Sequence, residues 1–248
     1  MQEYLVFRVY GPMASWGQPA VGGDRPTGMQ PTRSAVLGLL GAALGIKRDQ
    51  TEQLQQLQAS ILVGVKQSVP SVLMRDYHTT QVPSTKKNVS LRTRKEELEV
   101  DELNTILSSR DYRCDGLWIV AISLTEAGPF RLDQLQAALE RPVFSLSLGR
   151  KSCPLALPVQ PKIMASLTLR AALDREFPPI TRSHTEDAMW LGHNGRVTYF
   201  WEGKRNDFDQ ERVLATEPWD DPGDRGRWQF KQRVMYQCSV LEDKNVPL

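Results

Sequence analysis

The chain has 248 residues and a nearly balanced charge, with 31 Lys and Arg against 29 Asp and Glu, or +2 at pH 7. Its apolar fraction of 40% and charged fraction of 24% are ordinary for a folded protein, which excludes a disordered chain and a uniformly basic nucleic-acid binder. Three cysteines without a CxxC pair (Cys114, Cys153 and Cys238) predict neither a disulfide framework nor a zinc ribbon. No signal-peptide pattern opens the chain, and its most apolar segment, residues 35–46, is far shorter than the roughly 20 residues that cross a bilayer. We therefore expect a cytoplasmic protein with no membrane segment.

The first part of the chain predicts a strand, a loop and a helix. Residues 4–10 are rich in β-branched and aromatic side chains, as strands are. Residues 11–31 are rich in Gly and Pro, and a connection of this length in a compact domain is typical of a functional loop. Thr32 or Ser34 is placed to cap the free N–H groups of the apolar helix that follows over residues 35–46.

The middle of the chain predicts further strands and helices around a polar insertion. The patterns indicate a helix at 51–59, a strand at 60–66 with a hairpin partner at 72–79, a strand at 112–124, a helix at 132–139 and a strand at 142–148. Residues 80–110 form the insertion, in which 97–107 is the one stretch with a helical pattern. Without the insertion, the order approximates the βαββαβ pattern of ferredoxin-like (RRM-like) domains.

The predicted fold class is therefore α+β, with a ferredoxin-like domain over residues 1–155 and an insertion at about 80–110. The composition changes after residue 155, where a Pro-rich stretch precedes a helix at 167–173 and short strands at 197–201 and 234–241. Residues 156–248 are expected to form a small β-rich C-terminal domain.

Basic residues lie just before the polar insertion and in its first half. Between residues 75 and 95 the acidic residue is Asp76, and the cations are Arg75, Lys86, Lys87, Arg92, Arg94 and Lys95. A local charge of about +5 suits a phosphate backbone, although a solvated loop has the same composition. An acidic run over residues 96–102 follows, and it either pairs with these cations or marks the end of a contact.

Two other segments combine cations with turn residues. Gly149, Arg150, Lys151 and Ser152 follow a predicted strand, where backbone N–H groups, charge and a hydroxyl can meet a phosphate. The loop before the first helix combines an aromatic ring with amide and guanidinium groups, which suits base stacking with phosphate neutralisation. Its candidate residues are Trp16, Gln18, Arg25 and Arg33. The other interpretation of Trp16 is a lid folded back on the core.

Patterns for catalysis and metal binding are absent or weak. The sequence has no GxxxxGK[ST], GxGxxG, HExxH or GxSxG motif. His184, Glu186, Asp187 and His193 are metal-ligating types, but the nine-residue spacing of the histidines fits no short helical ligand motif. We expect no catalytic residue, no metal and no cofactor.

Several stretches are specific enough to carry a family resemblance. They are residues 11–19 (GPMASWGQP), 25–28 (RPTG), 31–42 (PTRSAVLGLLGA), 75–79 (RDYHT), 148–154 (LGRKSCP), 227–230 (RWQF) and 234–236 (VMY). In this order they resemble the CasD family, the CRISPR-associated Cascade proteins of the wider RAMP superfamily. The resemblance is strongest over residues 1–50, and residues 156–226 depart most from the family.

The resemblance implies a ferredoxin-like domain with a thumb-like insertion and a small C-terminal β domain. It implies a non-catalytic subunit of the type I-E Cascade surveillance complex, which binds and caps the 5′ handle of the crRNA in antiviral defence. The implied partners are the CasC-type backbone subunit, the CasA-type large subunit and target DNA near the PAM end. Together with the basic insertion, the matched motifs give the expected RNA-binding residues: Trp16, Gln18, Arg25, Thr27, Thr32, Arg33, Ser34, Arg75, His78, Lys86, Lys87, Arg92, Arg94, Arg150, Lys151 and Ser152.

Two other functions stay open. Some relatives in other CRISPR subtypes cut precursor RNA without a metal, and here Tyr77, His78 and Lys86 or Lys87 are the residues for such a metal-independent endoribonuclease. The type I-E resemblance speaks against it, because in that branch a separate subunit cuts the precursor. The third possibility is a general RNA chaperone, which would bind unrelated single strands as well as the handle.

Overall fold

The three-dimensional structure is a computed structural model that describes residues 1–20, 22–84, 90–192, 195–208, 212–224, 226–227 and 229–241. The first elements are β1 (Gln2–Tyr10), β2 (Met13–Ala14), β3 (Asp24–Arg25), α1 (Arg33–Leu44), α2 (Thr51–Ser60), β4 (Ile61–Val69), β5 (Val72–Pro83), α3 (Arg94–Leu98), β6 (Leu103–Cys114) and β7 (Leu117–Leu124). They are followed by α4 (Leu132–Glu140), β8 (Lys162–Ser166), α5 (Leu169–Leu173), α6 (His184–Trp190), β9 (Arg196–Trp201), a 3-10 turn (Arg205–Asp207), β10 (Leu214–Thr216), β11 (Trp219–Pro222), β12 (Phe230–Gln232) and β13 (Met235–Leu241). The predicted α+β class is confirmed.

Seven strands form one antiparallel sheet in the order β10–β13–β9–β4–β7–β1–β8. Successive side chains of a strand point to opposite faces. On β1, Leu5, Phe7 and Val9 are buried with helices α1 and α4 on one face. Tyr4 and Val6 are buried against α5 on the other face. Each large apolar side chain buried in this way contributes roughly 1.5–3 kcal/mol.

The chain after residue 155 contributes β8, β9, β10 and β13 to this same sheet. The helix predicted at 167–173 and the strands predicted at 197–201 and 234–241 are present as α5, β9 and β13. The division into two domains stays a prediction. None of the helices in the described ranges combines the length and the apolar character that crossing a membrane requires.

The strand predicted at 142–148 is wrong, and the segment instead closes the end of α1. The N–H groups of Val143 and Phe144 donate to the carbonyls of Ala43 and Ala42, each at 3.0 Å. Because these N–H groups are taken by the last turn of the helix, they are not available to a strand ladder. The strand that pairs with β1 on the side away from β7 is β8, and it begins well after residue 148.

The polar insertion is a long two-stranded hairpin, which we call the arm. The pairing predicted between the segment at 72–79 and the strand before it is wrong. The segment pairs with β6, from Val72 opposite Cys114 to Pro83 opposite Leu103. The helix predicted at 97–107 is also wrong, because α3 ends at Leu98 and β6 begins at Leu103. Twelve residues in each strand give the arm a length of about 40 Å.

The arm leaves the sheet at a turn that the sequence did not indicate. The single strand predicted at 112–124 is two strands, β6 and β7, separated by Asp115 and Gly116. Asp115 adopts a left-handed backbone with φ +58°. A Cβ atom on Gly116 would lie 2.3 Å from the Trp118 ring, so this position requires glycine.

Candidate nucleic-acid interface

Three segments that the sequence singled out separately lie together at the root of the arm. β2 and β3, from the N-terminal loop, pair with β6, so that Met13 lies opposite Cys114 and Arg25 opposite Arg110. The turn that carries Gly149 joins them, because the Ser15 N–H donates to the Leu148 carbonyl at 2.9 Å. Residues far apart in the chain therefore form one continuous surface.

Three cations lie on one face of this root, Arg25, Arg110 and Arg150, and Lys151 follows Arg150 in the same turn; we call these four residues the root cluster. Arg25, Arg110 and Lys151 are exposed, and Arg150 is half-buried. The Arg25 guanidinium donates to the Gly22 carbonyl at 2.5 Å, which fixes its loop. The acidic residue opposite Arg110 on this face is Asp76, so the net charge of the five residues is +3. This face of the root is thus suited to an anionic ligand.

Arg150 connects the turn to the arm. Its guanidinium carbon lies 4.8 Å from the centre of the Tyr112 ring, a cation–π contact. Its Nη2 donates to the Arg25 carbonyl at 3.3 Å. Its Nη1 is buried and has no hydrogen-bond partner within the described ranges. Because this nitrogen is buried, Arg150 contributes to the surface through its charge rather than through a free hydrogen-bond donor.

The opposite face of the arm carries Arg75 in a fixed position. Arg75 lies across from Asp111, and two of its nitrogens donate to the carboxylate at 2.8 and 3.1 Å. These hydrogen bonds hold the pKa of Asp111 below its usual range, so the pair stays ionised near neutral pH. His78 is on the root-cluster face, where its Nε2 lies 2.5 Å from the Asp76 carboxylate.

The expectation of an exposed Trp16 is wrong. Its ring is only 2% exposed and packs edge-on against Trp118, with centroids 5.1 Å apart. Its backbone N–H donates to the buried Thr27 hydroxyl at 2.8 Å. Trp16 and Thr27 therefore build the core beneath the loop, which was the alternative for Trp16, while Gln18 in the same loop is exposed.

Arg33 is also buried, together with its neighbours in the cap of α1. Thr32 caps the helix by accepting from the Ala35 N–H, and Ser34 lies 3.2 Å from the Thr32 hydroxyl. The Arg33 guanidinium is bonded to Glu202 and to Asp221, inside the protein. The phosphate-contacting role predicted for Arg33 is therefore wrong, because its charge is already neutralised by carboxylates.

The far part of the arm is described only in part. Lys86 and Lys87 lie outside the described residues. Arg94 is 2.8 Å from the Glu97 carboxylate and also donates to the Gln81 carbonyl, so pairing of the basic and acidic runs is found here. The Arg92 N–H donates to Glu96 at 2.8 Å.

Sequence reasoning missed Arg110. No motif marks this residue, and it belongs to the site because the parallel pairing of β3 with β6 places it beside Arg25. Ser152, which the sequence did single out, is exposed beside the root cluster, with its hydroxyl 4.0 Å from the Cys153 sulfur.

Gly149 is the residue on which the geometry of the turn depends. It has φ +87°, and a Cβ atom there would lie 1.9 Å from the Ser15 carbonyl oxygen. We expect Gly149→Ala to lower the free energy of unfolding by about 2–3 kcal/mol, since both backbone strain and a clash are introduced. Thermal unfolding would then shift by roughly 5 °C or more.

Gly192→Ala is the matched control for this prediction. Gly192 also has a positive φ, +64°, but an added Cβ would meet nothing within 4 Å among the described atoms. Its expected loss is smaller because the strain is present without the clash. Equal melting temperatures for the two variants would contradict the contact between the turn and Ser15.

A metal centre has no support in the described ranges. They contain no group of three or more His, Cys, Asp and Glu side chains arranged to hold a metal ion. Of the residues weighed from the sequence, His193 lies outside those ranges.

Comparisons with known proteins cover most of the chain. A family model described as CRISPR-associated protein (Cas_Cas5) matches residues 4–236. The chain belongs to this family of CRISPR-associated proteins. Among curated proteins it is similar to the CRISPR system Cascade subunit CasD of Escherichia coli (strain K12), with 40% identity over 167 residues. That match covers 64% of this chain and 70% of the relative, and it confirms the resemblance to CasD.

Two solved structures share the fold. One, titled CRISPR RNA-guided surveillance complex, has a TM-score of 0.59 at 23% identity. The match covers 98% of this chain and 91% of the chain in that structure. The other, titled Crystal structure of Cas protein, has a TM-score of 0.57 at 24% identity and covers 98% and 97%. The shared architecture therefore extends over nearly the whole length of each chain.

Proposed function

We propose that the chain is a non-catalytic subunit of a type I-E CRISPR Cascade surveillance complex that binds and caps the 5′ handle of the crRNA. The observation that carries the proposal is the root cluster, where exposed cations from three distant segments meet at the base of a long arm. The name of the Escherichia coli relative, a Cascade subunit, supports the same function.

The chemistry of a single-stranded handle fits this surface. A single strand exposes its phosphates on a flexible path, and cations that converge from several segments can follow that path. Arg25, Arg110 and Lys151 would neutralise phosphates, and the charge of the half-buried Arg150 would add to the positive potential that those phosphates meet. Residues around the cluster and along the arm would extend the contact: Gln18, Arg75, His78, Lys86, Lys87, Arg92, Arg94 and Ser152.

The family membership supports a further proposal about the partners of the chain. We propose contacts with the CasC-type backbone subunit, the CasA-type large subunit and target DNA near the PAM end, in a cytoplasmic ribonucleoprotein of antiviral defence. The sequence of the target would be read by base pairing and not by this subunit.

A ferredoxin-like arrangement of the N-terminal part belongs to the same proposal. The neighbouring strands β4–β7–β1–β8, with α1 and α4 together on one face, support it. On this interpretation the ferredoxin-like unit includes β8 and ends beyond residue 155, and the small C-terminal domain follows it.

The arrangement of the arm favours a non-catalytic subunit over an endoribonuclease. Tyr77 and His78 are consecutive in β5, so their side chains point to opposite faces of the arm. Tyr77 lies across from Ser109, whereas His78 lies across from Ser108. Tyr77 and His78 therefore do not meet at one phosphodiester; the cations of this alternative, Lys86 and Lys87, lie outside the described residues.

Co-expression with the CRISPR repeat transcript tests both functions. We expect the wild-type chain to retain uncut RNA that contains the handle, and the RNA recovered with His78→Ala to have the same length. A discrete cut near the base of the repeat hairpin that disappears in His78→Ala would establish the endoribonuclease instead. Equal binding of unrelated single strands would indicate a general RNA chaperone.

A further inference from the structure

The outer edge of β5 has no strand beside it in the described part of the chain. β5 pairs with β6 alone, whereas β6 is also covered by β2 and β3 near the root. Outside that ladder, no backbone group of residues 72–83 bonds to the backbone of another described residue. The Gln81 carbonyl is taken by the Arg94 side chain, which leaves residues 72–80 as the open edge.

This edge lacks several of the features that usually prevent strand pairing, and its charged residues Arg75 and Asp76 lie opposite the oppositely charged Asp111 and Arg110 of β6. Edge strands are commonly protected by bulges, prolines or lysines. The β5–β6 register runs from Val72 to Pro83 without a bulge, and the strand contains no lysine and no proline before Pro83. A long, regular and open edge is a template for another strand.

Apolar side chains flank the open edge on both faces of the arm. Val72 is 67% exposed and Tyr77 is 62% exposed, and Leu73 and Met74 are exposed between them. On the neighbouring strand, Ile106 and Leu107 are exposed as well, one on each face. Aromatic residues and methionine are enriched in protein–protein interfaces, so these side chains favour a protein partner.

The hydrogen-bonding pattern of the edge distinguishes a polypeptide from RNA. A strand edge presents N–H donors and carbonyl acceptors in alternation, and an extended peptide satisfies both. A phosphodiester backbone presents acceptors, so the carbonyls of the edge would stay unpaired. We propose that residues 72–80 bind an extended segment of a partner protein as an added β-strand, with apolar side chains packed beside Tyr77 and Leu73. The inference rests on the proposed function in one respect, that the partner is another subunit of the same complex.

Paired proline substitutions test the open edge. Thr79 and Thr80 are both exposed, and of two neighbouring residues in an antiparallel strand one directs its N–H to the partner strand and the other away from it. Thr79→Pro and Thr80→Pro therefore separate the β5–β6 ladder from the open edge, because proline has no N–H. The variant that keeps the wild-type melting temperature is the edge variant, and alanine at the same position is its control.

The edge variant is expected to fail in assembly while it keeps its RNA contact. When the chain is co-expressed with the protein subunits and the guide RNA, incorporation should fall at least tenfold relative to the alanine control. Binding of handle RNA by the purified variant should stay within about twofold, which keeps a failure here distinguishable from a failure of RNA binding. Incorporation equal to that of the alanine control would overturn the proposal.

Hydrogen exchange on the wild-type chain gives an independent answer without any substitution. Amides of residues 72–80 that exchange quickly in the isolated chain should slow at least tenfold in the assembled complex. Handle RNA alone should leave the amides of residues 72–74 and 79–80 fast, because none of these residues belongs to the proposed RNA contact. Protection of these amides by RNA alone would assign the edge to the RNA interface, and protection that rises with the concentration of the isolated chain would assign it to self-pairing; either result overturns the proposal.

Discussion

Replacing Arg25, Arg110 and Lys151 together with glutamine is expected to lower the salt dependence of handle binding by about two units in the slope of log K against log salt. Each phosphate that a cation neutralises on a single strand contributes about 0.7 to that slope, and these three exposed side chains are the free charges of the root cluster. Between 50 and 200 mM salt, the wild-type chain should therefore lose about 20-fold more affinity than the variant. Fluorescence anisotropy titrations of labelled handle RNA at several salt concentrations measure the slope.

A second triple variant with the same change in net charge is the control. Arg131, Lys204 and Arg205 are exposed and lie at the other end of the sheet. The Phe130 N–H bonds to Ser60, just before β4, and Gly203 lies beside Leu62, at the start of that strand. The root of the arm lies at the other end of β4, beside the last residue of that strand, Val69, which is opposite Leu117.

The control variant should keep the wild-type slope, since its cations are too far from the root to meet the same phosphates. Equal reductions in the two triple variants would mean that RNA responds to the net charge of the chain and not to the root cluster. An unchanged slope in the root variant would place the RNA elsewhere on the protein.

The parts of the fold that could be predicted from sequence are those with a regular buried face. The helix at 132–139 buries Leu132, Leu135 and Leu139 at a helical spacing, and the strand at 4–10, which is buried on both faces, is identified by its run of β-branched and aromatic residues. The same reasoning located β9 and β13, since both contribute buried side chains to the hydrophobic core between the sheet and α5.

The arm could not be predicted in this way because it has no buried face along most of its length. Tyr77, Ile106 and Leu107 are exposed on this hairpin, so hydrophobic alternation gives no signal for pairing. The segment at 142–148 failed for a different reason. Its apolar residues resemble a strand, but its N–H groups are bonded to the end of α1.

The candidate site shows the same division between local and distant information. Motifs located the three segments, but exposure of each side chain depends on residues far along the chain. Trp16 is covered by Trp118, and Arg33 is neutralised by Glu202, which is 169 residues away. Arg110 became part of the site only through its pairing with Arg25.

Replacing Arg33 with methionine is expected to lower the free energy of unfolding by about 3–5 kcal/mol. Its guanidinium is bonded to Glu202, lies 2.8 Å from Asp221 and donates to the carbonyls of Gln58 and Ile61. Burial raises the pKa of Glu202, and the neighbouring guanidinium groups of Arg33 and Arg233 oppose that rise. Without Arg33, Glu202 stays buried with less compensation for its charge. Because domains are stable by about 5–15 kcal/mol, urea denaturation should show a large shift.

The same substitution in an exposed ion pair is the control. Arg131 and Asp133 are 75% and 61% exposed, and Arg131→Met should cost no more than about 1 kcal/mol. The double variant Arg33→Met with Glu202→Met should be more stable than Arg33→Met alone, because it removes the buried charge together with its partner. If the single variant fails to fold, folding of the double variant still reports this coupling. Two results would contradict this prediction: equal losses of stability for Arg33→Met and Arg131→Met, or a double variant less stable than Arg33→Met. Either would show that the Arg33–Glu202 pair does not stabilise the packing of α1 against the segment that follows Trp201.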